Sequence, residues 1–203
     1  MQNIFAKKQS IFSFSFPLLL LPICLSLTNL TFGQVIPFLH CDSSSDTPFL
    51  RNEGRTEQIG DFRLLCSGGT PGVTGTSNVQ IFLNAAVTNR ILNSGTNAVD
   101  AFLFIGEPTT AVLGTNLFQG TLSGQSSIAF SNVPFTGSST PVIYRITNVR
   151  ADITNRPTLQ GPKAAQLLAF VSASSPGPGG INVPISQPQA TVGFVVPSQT
   201  MQI

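Results

Sequence analysis

The sequence predicts an all-β protein, an antiparallel β-sandwich with a tethered C-terminal strand. Three observations point there. Helical periodicity is nearly absent from the 203 residues. Short apolar or alternating runs recur instead, separated by Gly, Ser, Asn, Pro and Thr, which is the pattern of a sandwich or barrel. The last apolar stretch, Ala190 to Val196, has strand-type residues and follows a long breaker-rich segment, Ser174 to Gln189.

The N-terminus reads as a secretory signal. Lys7 and Lys8 form a short basic region, Ile11 to Leu27 is apolar, and Thr31-Phe32-Gly33 offers small residues at the −3 and −1 positions of a cleavage site. An uncleaved anchor is the alternative, but the run is short for a span and is broken by Pro17, Pro22 and serines. Residues 1–33 are therefore expected to leave, and the mature chain begins at Gln34. Lys7 and Lys8 account for the excess of ten basic over eight acidic residues, so the mature chain is formally neutral. No electrostatic footprint for nucleic acid or an anionic membrane remains. A sparsely charged, neutral surface favours self-association.

Cys41 and Cys66 survive cleavage. An even count in an exported chain argues for one disulfide. Closing a loop of about 26 residues stabilises by roughly 3–4 kcal/mol on the chain-entropy model. A metal site using His40, Cys41 and Asp42 is disfavoured. Neighbouring side chains on a strand point to opposite faces, and no second ligand pair has zinc spacing.

The expected strands begin with Val35 to Cys41 and Phe49 to Asn52. Gln58 to Cys66 follows, anchored by Ile59, Leu64 and Cys66. Ser67 to Ser77, with four glycines and a proline, reads as a loop. Asn78 to Thr88 is the cleanest strand: Val79, Ile81, Leu83, Ala85 and Val87 share one face. After a turn at Asn93-Ser94-Gly95, Ala98 to Ile105 alternates in the same way. Asn116 to Leu122 and Ser127 to Val133 form a hairpin about Ser123-Gly124-Gln125. Val142 to about Ile153 and Gln166 to Ala173 precede the linker. Pro162 to Phe170 is the one helical candidate, and its apolar centre suits a buried strand equally well.

Phe82, Phe102 and Phe104 lie opposite the aliphatic rows of their strands, with Phe118 as a fourth candidate. Either loops cover both sheet faces, or these rings form a lateral contact surface. Arg51, Glu53, Arg55, Glu57, Asp61 and Arg63 concentrate charge in 13 residues. Calcium prefers acidic residues in D-x-D-x-D spacing from a tight loop, and arginines are interleaved here, so cross-strand ion pairs are the expectation.

Catalytic patterns are sparse. The mature chain has one histidine, His40, and lacks a G-x-S-x-G elbow, an H-E-x-x-H helix and a phosphate-cradling loop. Asp100, Glu107 and Asp152 are conceivable carboxylate partners of the kind any all-β chain holds by chance. With no Trp and a single Tyr144, a sugar-stacking platform is not expected. The expectation is a protein that is not an enzyme, with no catalytic residue, no bound metal and no cofactor.

An ordered run of motifs carries a resemblance. Glu53-Gly54-x-Thr56-Glu57-x-x-Gly60-Asp61-x-x-Leu64-x-Cys66-x-Gly68-Gly69 is followed by Ile81-x-Leu83-Asn84 and Val87-Thr88-x-Arg90-Ile91-Leu92. Asn116-x-Phe118-Gln119-Gly120, Tyr144 to Ala151 and Thr191-Val192-Gly193-Phe194-Val195 come next. Together they resemble secreted proteins of unknown function from acidobacteria and related environmental bacteria, over essentially the whole mature chain. The resemblance implies no enzyme activity or cofactor. In longer members, sequence continues beyond the segment like Thr191 to Val195.

Small secreted sandwiches with a detachable terminal strand also resemble pilins that assemble by donor-strand complementation, so the sandwich is expected to be immunoglobulin-like or pilin-like. In that mode an extended segment adds to a neighbour's sheet, with backbone bonds holding it and alternate side chains filling pockets. Val192, Phe194 and Val196 are the expected inward knobs of the polymerisation strand. Val35, Ile36, Phe38 and Leu39 form a rival donor arm, weakened by Pro37. The expected organisation is a signal over 1–33, a sandwich over 34–173, a linker over 174–189 and a strand with tail over 190–203. The expected product is an extracellular or cell-surface filament subunit whose partners are other copies of itself, touching membrane only through its signal. The alternative is a monomeric adhesion or binding module whose last strand completes its own sheet.

Overall fold

A computed structural model describes residues 38–154, 156 and 165–197. Among them the chain is all-β, with no helix and so none long and apolar enough to cross a membrane. The strands are β1 (His40–Ser45), β2 (Phe49–Arg51), β3 (Glu57–Gln58), β4 (Phe62–Gly68), β5 (Thr74–Leu83), β6 (Ile91–Asn93) and β7 (Ala98–Ile105). They continue with β8 (Leu117–Leu122), β9 (Ser127–Thr136), β10 (Ser138–Thr147), β11 (Arg150–Ala151), β12 (Ala165–Ser174), β13 (Ile185–Ser186) and β14 (Gln189–Val196).

One curled sheet runs β13-β1-β4-β10-β7-β8-β9-β5-β12-β14-β2, with β6 added beside β7. A separate ribbon pairs β11 with β3. Period-2 alternation builds the sheet, since every second side chain of a strand faces the same way. In β5, Val79, Ile81 and Leu83 are buried as their spacing requires. Their counterparts Phe62 and Leu64 of β4, Leu103 of β7, Ile128, Phe130 and Phe135 of β9 and Ile146 of β10 join Leu167 and Val171 of β12 in one core.

The sheet is mixed. Most neighbours are antiparallel, but β13 lies parallel to β1 and β14 lies parallel to β2. Alternation shows which face of a strand is wet and carries nothing about its neighbour. The two parallel pairs lie at opposite ends of the sheet order and come from connections, because β1 is followed in the chain by β2, and β13 by β14. Residues 40–51 pass from the β4 edge as β1, cross three residues, and finish on the β14 edge as β2. This strap spans the seam of the curl.

Several element bounds differ from expectation: Gln58 to Cys66 is divided between β3 and β4, and Val142 to Ile153 between β10 and β11. The predicted first strand, Val35 to Cys41, is β1 at residues 40–45, with residues 35–37 outside the described set. Residues 74–77, expected in a loop for their glycine content, extend β5 and pair with β9 from Thr74↔Thr136 to Ser77↔Val133. β5 ends at Leu83 rather than Thr88, and Val87 instead makes an isolated bridge to Ala151.

The expected linker is packed against the body. Ile181 N donates to Thr76 O, Val183 N to Ala173 O and Val171 N to Pro188 O. Val183 is buried, and Ile181 and Ile185 pack against the core.

Candidate functional site

Two regions are candidate sites: the seam around β14 and the outer face of the sheet. At the seam, β14 is flanked on both sides within the chain. β12 pairs it antiparallel, from Ala165↔Val195 to Phe170↔Gln189. β2 pairs it parallel through Phe194↔Phe49, Val195↔Leu50 and Val196↔Arg51.

The strap reinforces this. Cys41 N donates to Pro184 O at 2.9 Å. The Ser43 hydroxyl donates to Gln187 O, and Ser45 Oγ donates to Thr191 O at 2.6 Å. Gly60 N donates to Val192 O at 2.8 Å. Two glycines make the approach possible. A Cβ on Gly60 would fall 1.9 Å from Asp46 O, and one on Gly193 would fall 2.4 Å from Leu50 Cδ1.

The expected knobs are only partly in phase. Val192 is buried, whereas Phe194 and Val196 are half-buried and Val195 is buried in their place. Leu167 opposes Gly193 while Leu168 opposes Thr191, so Val192 is one extra residue in the ladder. Such a bulge inverts the alternation beyond it. Phe194 instead meets the exposed Phe49, with ring centroids 6.4 Å apart.

Of the rival donor arm, Val35 and Ile36 lie outside the described residues. Phe38 is 83% exposed, and Leu39 packs against the core. Cys41 and Cys66 face each other in the β1–β4 register and form the disulfide, with both residues buried. A formed disulfide suits an oxidising compartment.

On the outer face, Phe82, Phe102 and Phe104 stand as their alternation predicts, but they do not make one patch. β8 and β9 separate β7 from β5, about three strand spacings or roughly 14 Å. Phe82 pairs with Phe170 of β12, with centroids 6.1 Å apart. Phe170 was legible as the outward residue between Ala169 and Val171. Phe118 faces inward and is buried.

Phe104 is roofed by the Arg145 guanidinium, 5.2 Å from the ring centroid. Arg145 also binds Asp61 at 3.1 Å and takes Glu107 in a two-pronged contact. Burial opposes its charge, but these carboxylates outweigh burial and hold its pKa above the ordinary value. Alongside, Arg63 forks onto both oxygens of Asp46 at 2.8 Å, which holds the Asp46 carboxyl below its usual range.

Four members of the charged cluster, Arg51, Glu57, Asp61 and Arg63, stand in ion pairs. Arg51 binds Glu57 within it, while Asp61 and Arg63 reach outside it to Arg145 and Asp46. Asp100 accepts from Asn89 and from Arg90 N, and Asp152 accepts from Thr154. His40 Nδ1 contacts Phe38 O. Among the described residues, no three of His, Cys, Asp and Glu converge to hold a metal. An open groove lined by Phe170, Val171, Ser172, Ala173, Val183, Ile185 and Pro188 borders the Phe82–Phe170 pair.

No protein-family model matches the chain, and no curated protein matches it. Solved structures similar to it include AvmM, described as catalysing macrocyclization in alchivemycin A biosynthesis. It is 12% identical, the alignment covers 81% of this chain and 92% of AvmM, and the TM-score is 0.30. That neighbour is an enzyme, which runs against the expectation that the chain is not one, and the expectation is withdrawn. At that TM-score, neither its activity nor any residue role passes to this chain.

Proposed function

We propose that the chain is a secreted extracellular binding or adhesion module whose curled sheet closes as a sandwich and whose last strand completes its own sheet. The observation that supports this reading is the placement of β14, paired on both sides within the chain and approached by a hydrogen-bonded crossing. A strand donated to another copy would forgo the bonds from Cys41, Ser43, Ser45 and Gly60 to residues 184–192. The single core shared by both ends of the sheet order supports closure as a sandwich. The signal-like N-terminus and the disulfide support export. For recognition, the module offers Phe82 and Phe170 on its outer face, since paired exposed aromatics favour contact with a partner.

The test is the mass of the chain lacking residues 1–33, measured by light scattering and negative-stain microscopy. A monomer is expected across concentrations. Phe194→Asp should lower stability without changing mass, because the ring is half-buried against Phe49 of its own chain. Filaments that disappear with Phe194→Asp would overturn the reading in favour of strand donation between copies.

A further inference from the structure

The strap holds the seam with very little apolar surface. β1 reads His-Cys-Asp-Ser-Ser-Ser, and Cys41 is its one buried side chain. Asp and Ser are poor or indifferent strand formers that gain little from a half-buried sheet edge. At the far end, Leu50 is buried against Gly193. Between these anchors the outer edge of β1 supplies the bonds to Pro184, Gln187 and Thr191 that fix the approach to β14. The remaining body, β4-β10-β7-β8-β9-β5-β12, is continuous without the strap.

We propose that the Cys41–Cys66 disulfide is a latch. Oxidised, it pins the strap across the seam and keeps β14 in place. As a dithiol, it leaves β1 held to β4 by its backbone ladder alone, the strap lifts more often from Cys41 toward Leu50, and residues 184–196 lose protection while the body stays folded. The reductant is a dithiol: the S–S bond breaks, Cys41 and Cys66 each gain a hydrogen, and the reagent departs as its own disulfide. Both cysteines are buried, so the reagent reaches the bond only during brief local opening of the β1 edge, and reduction then makes that opening frequent.

The test is hydrogen exchange followed by mass spectrometry on the oxidised chain and on the chain reduced with dithiothreitol, with free thiols counted by intact mass. On reduction, residues 40–51 and 184–196 should exchange about tenfold faster or more, with Val79–Leu83, Ile128–Phe135 and Leu167–Val171 unchanged. Cys41→Ala with Cys66→Ala should reproduce this without reductant. Unchanged protection at 184–196 with both thiols free would overturn the latch. So would loss of protection throughout the sheet, or a double variant that does not fold, because the disulfide would then staple the whole domain.

Discussion

Tyr144 is the one tyrosine in a chain without tryptophan, so its ionisation can be watched alone. The side chain is buried on β10, its ring stacks on Phe135 at 4.3 Å between centroids, and its hydroxyl donates to Pro134 O at 3.1 Å. Burial pushes the phenol from its ordinary 10.0 up to about 12. A phenolate there would lose water and also the hydrogen it donates. Each tenfold change in proton affinity is worth about 1.4 kcal/mol, so the displacement corresponds to roughly 3 kcal/mol.

The sign follows from proton counting. Between pH 10 and about 12 the folded chain keeps a proton that the unfolded chain has lost, so stability falls as pH rises. The contribution is complete below pH 10 and gone above about 12. The assay is absorbance of the phenolate near 295 nm during alkaline titration, with circular dichroism following the fold in parallel. The phenolate should appear near pH 12, or earlier only together with unfolding. A midpoint near pH 10 with the sheet intact would refute the burial argument. Tyr144→Phe should remove this alkaline sensitivity and cost about 1 kcal/mol at neutral pH, because Pro134 O loses its donor.

Two further outcomes are expected. Gly60→Ala places a methyl against the Asp46 carbonyl, a backbone atom that cannot swing aside, so chemical denaturation should show a loss of at least about 1–3 kcal/mol. In an NMR titration, Asp46 should ionise below its ordinary 3.8 and return toward it in Arg63→Gln, because Arg63 supplies the largest part of the depression.

Much of the sheet was legible because burial on one face imposes a period of two. Val79, Ile81 and Leu83 announced β5, and Val99, Ala101 and Leu103 announced β7. The cysteine pair was legible from its even count. The seam was not. β1 is Ser-rich and owes its place to its ladder with β4 and one half-cystine, so its composition does not mark it as a strand. The bulge at Val192 depends on the step in β12 pairing, which no property of β14 alone encodes, and Phe194 and Val196 were therefore assigned to the wrong face. Thr74 to Ser77 carries loop residues but is held by partners some sixty residues downstream in β9.

The strap has a consequence for synthesis. Ser45 meets Thr191, 146 residues later, and Leu50 meets Gly193. A chain emerging from its N-terminus therefore presents strap residues long before their partners exist. The body can pair progressively as β4 to β12 appear, while the seam waits for residues 184–196. Contacts so distant in sequence form slowly, because a long loop must be ordered before they contribute. During that interval the outer edges of β1 and β12 stand open, so seam closure is the step at which a chaperone would improve the yield of folded protein.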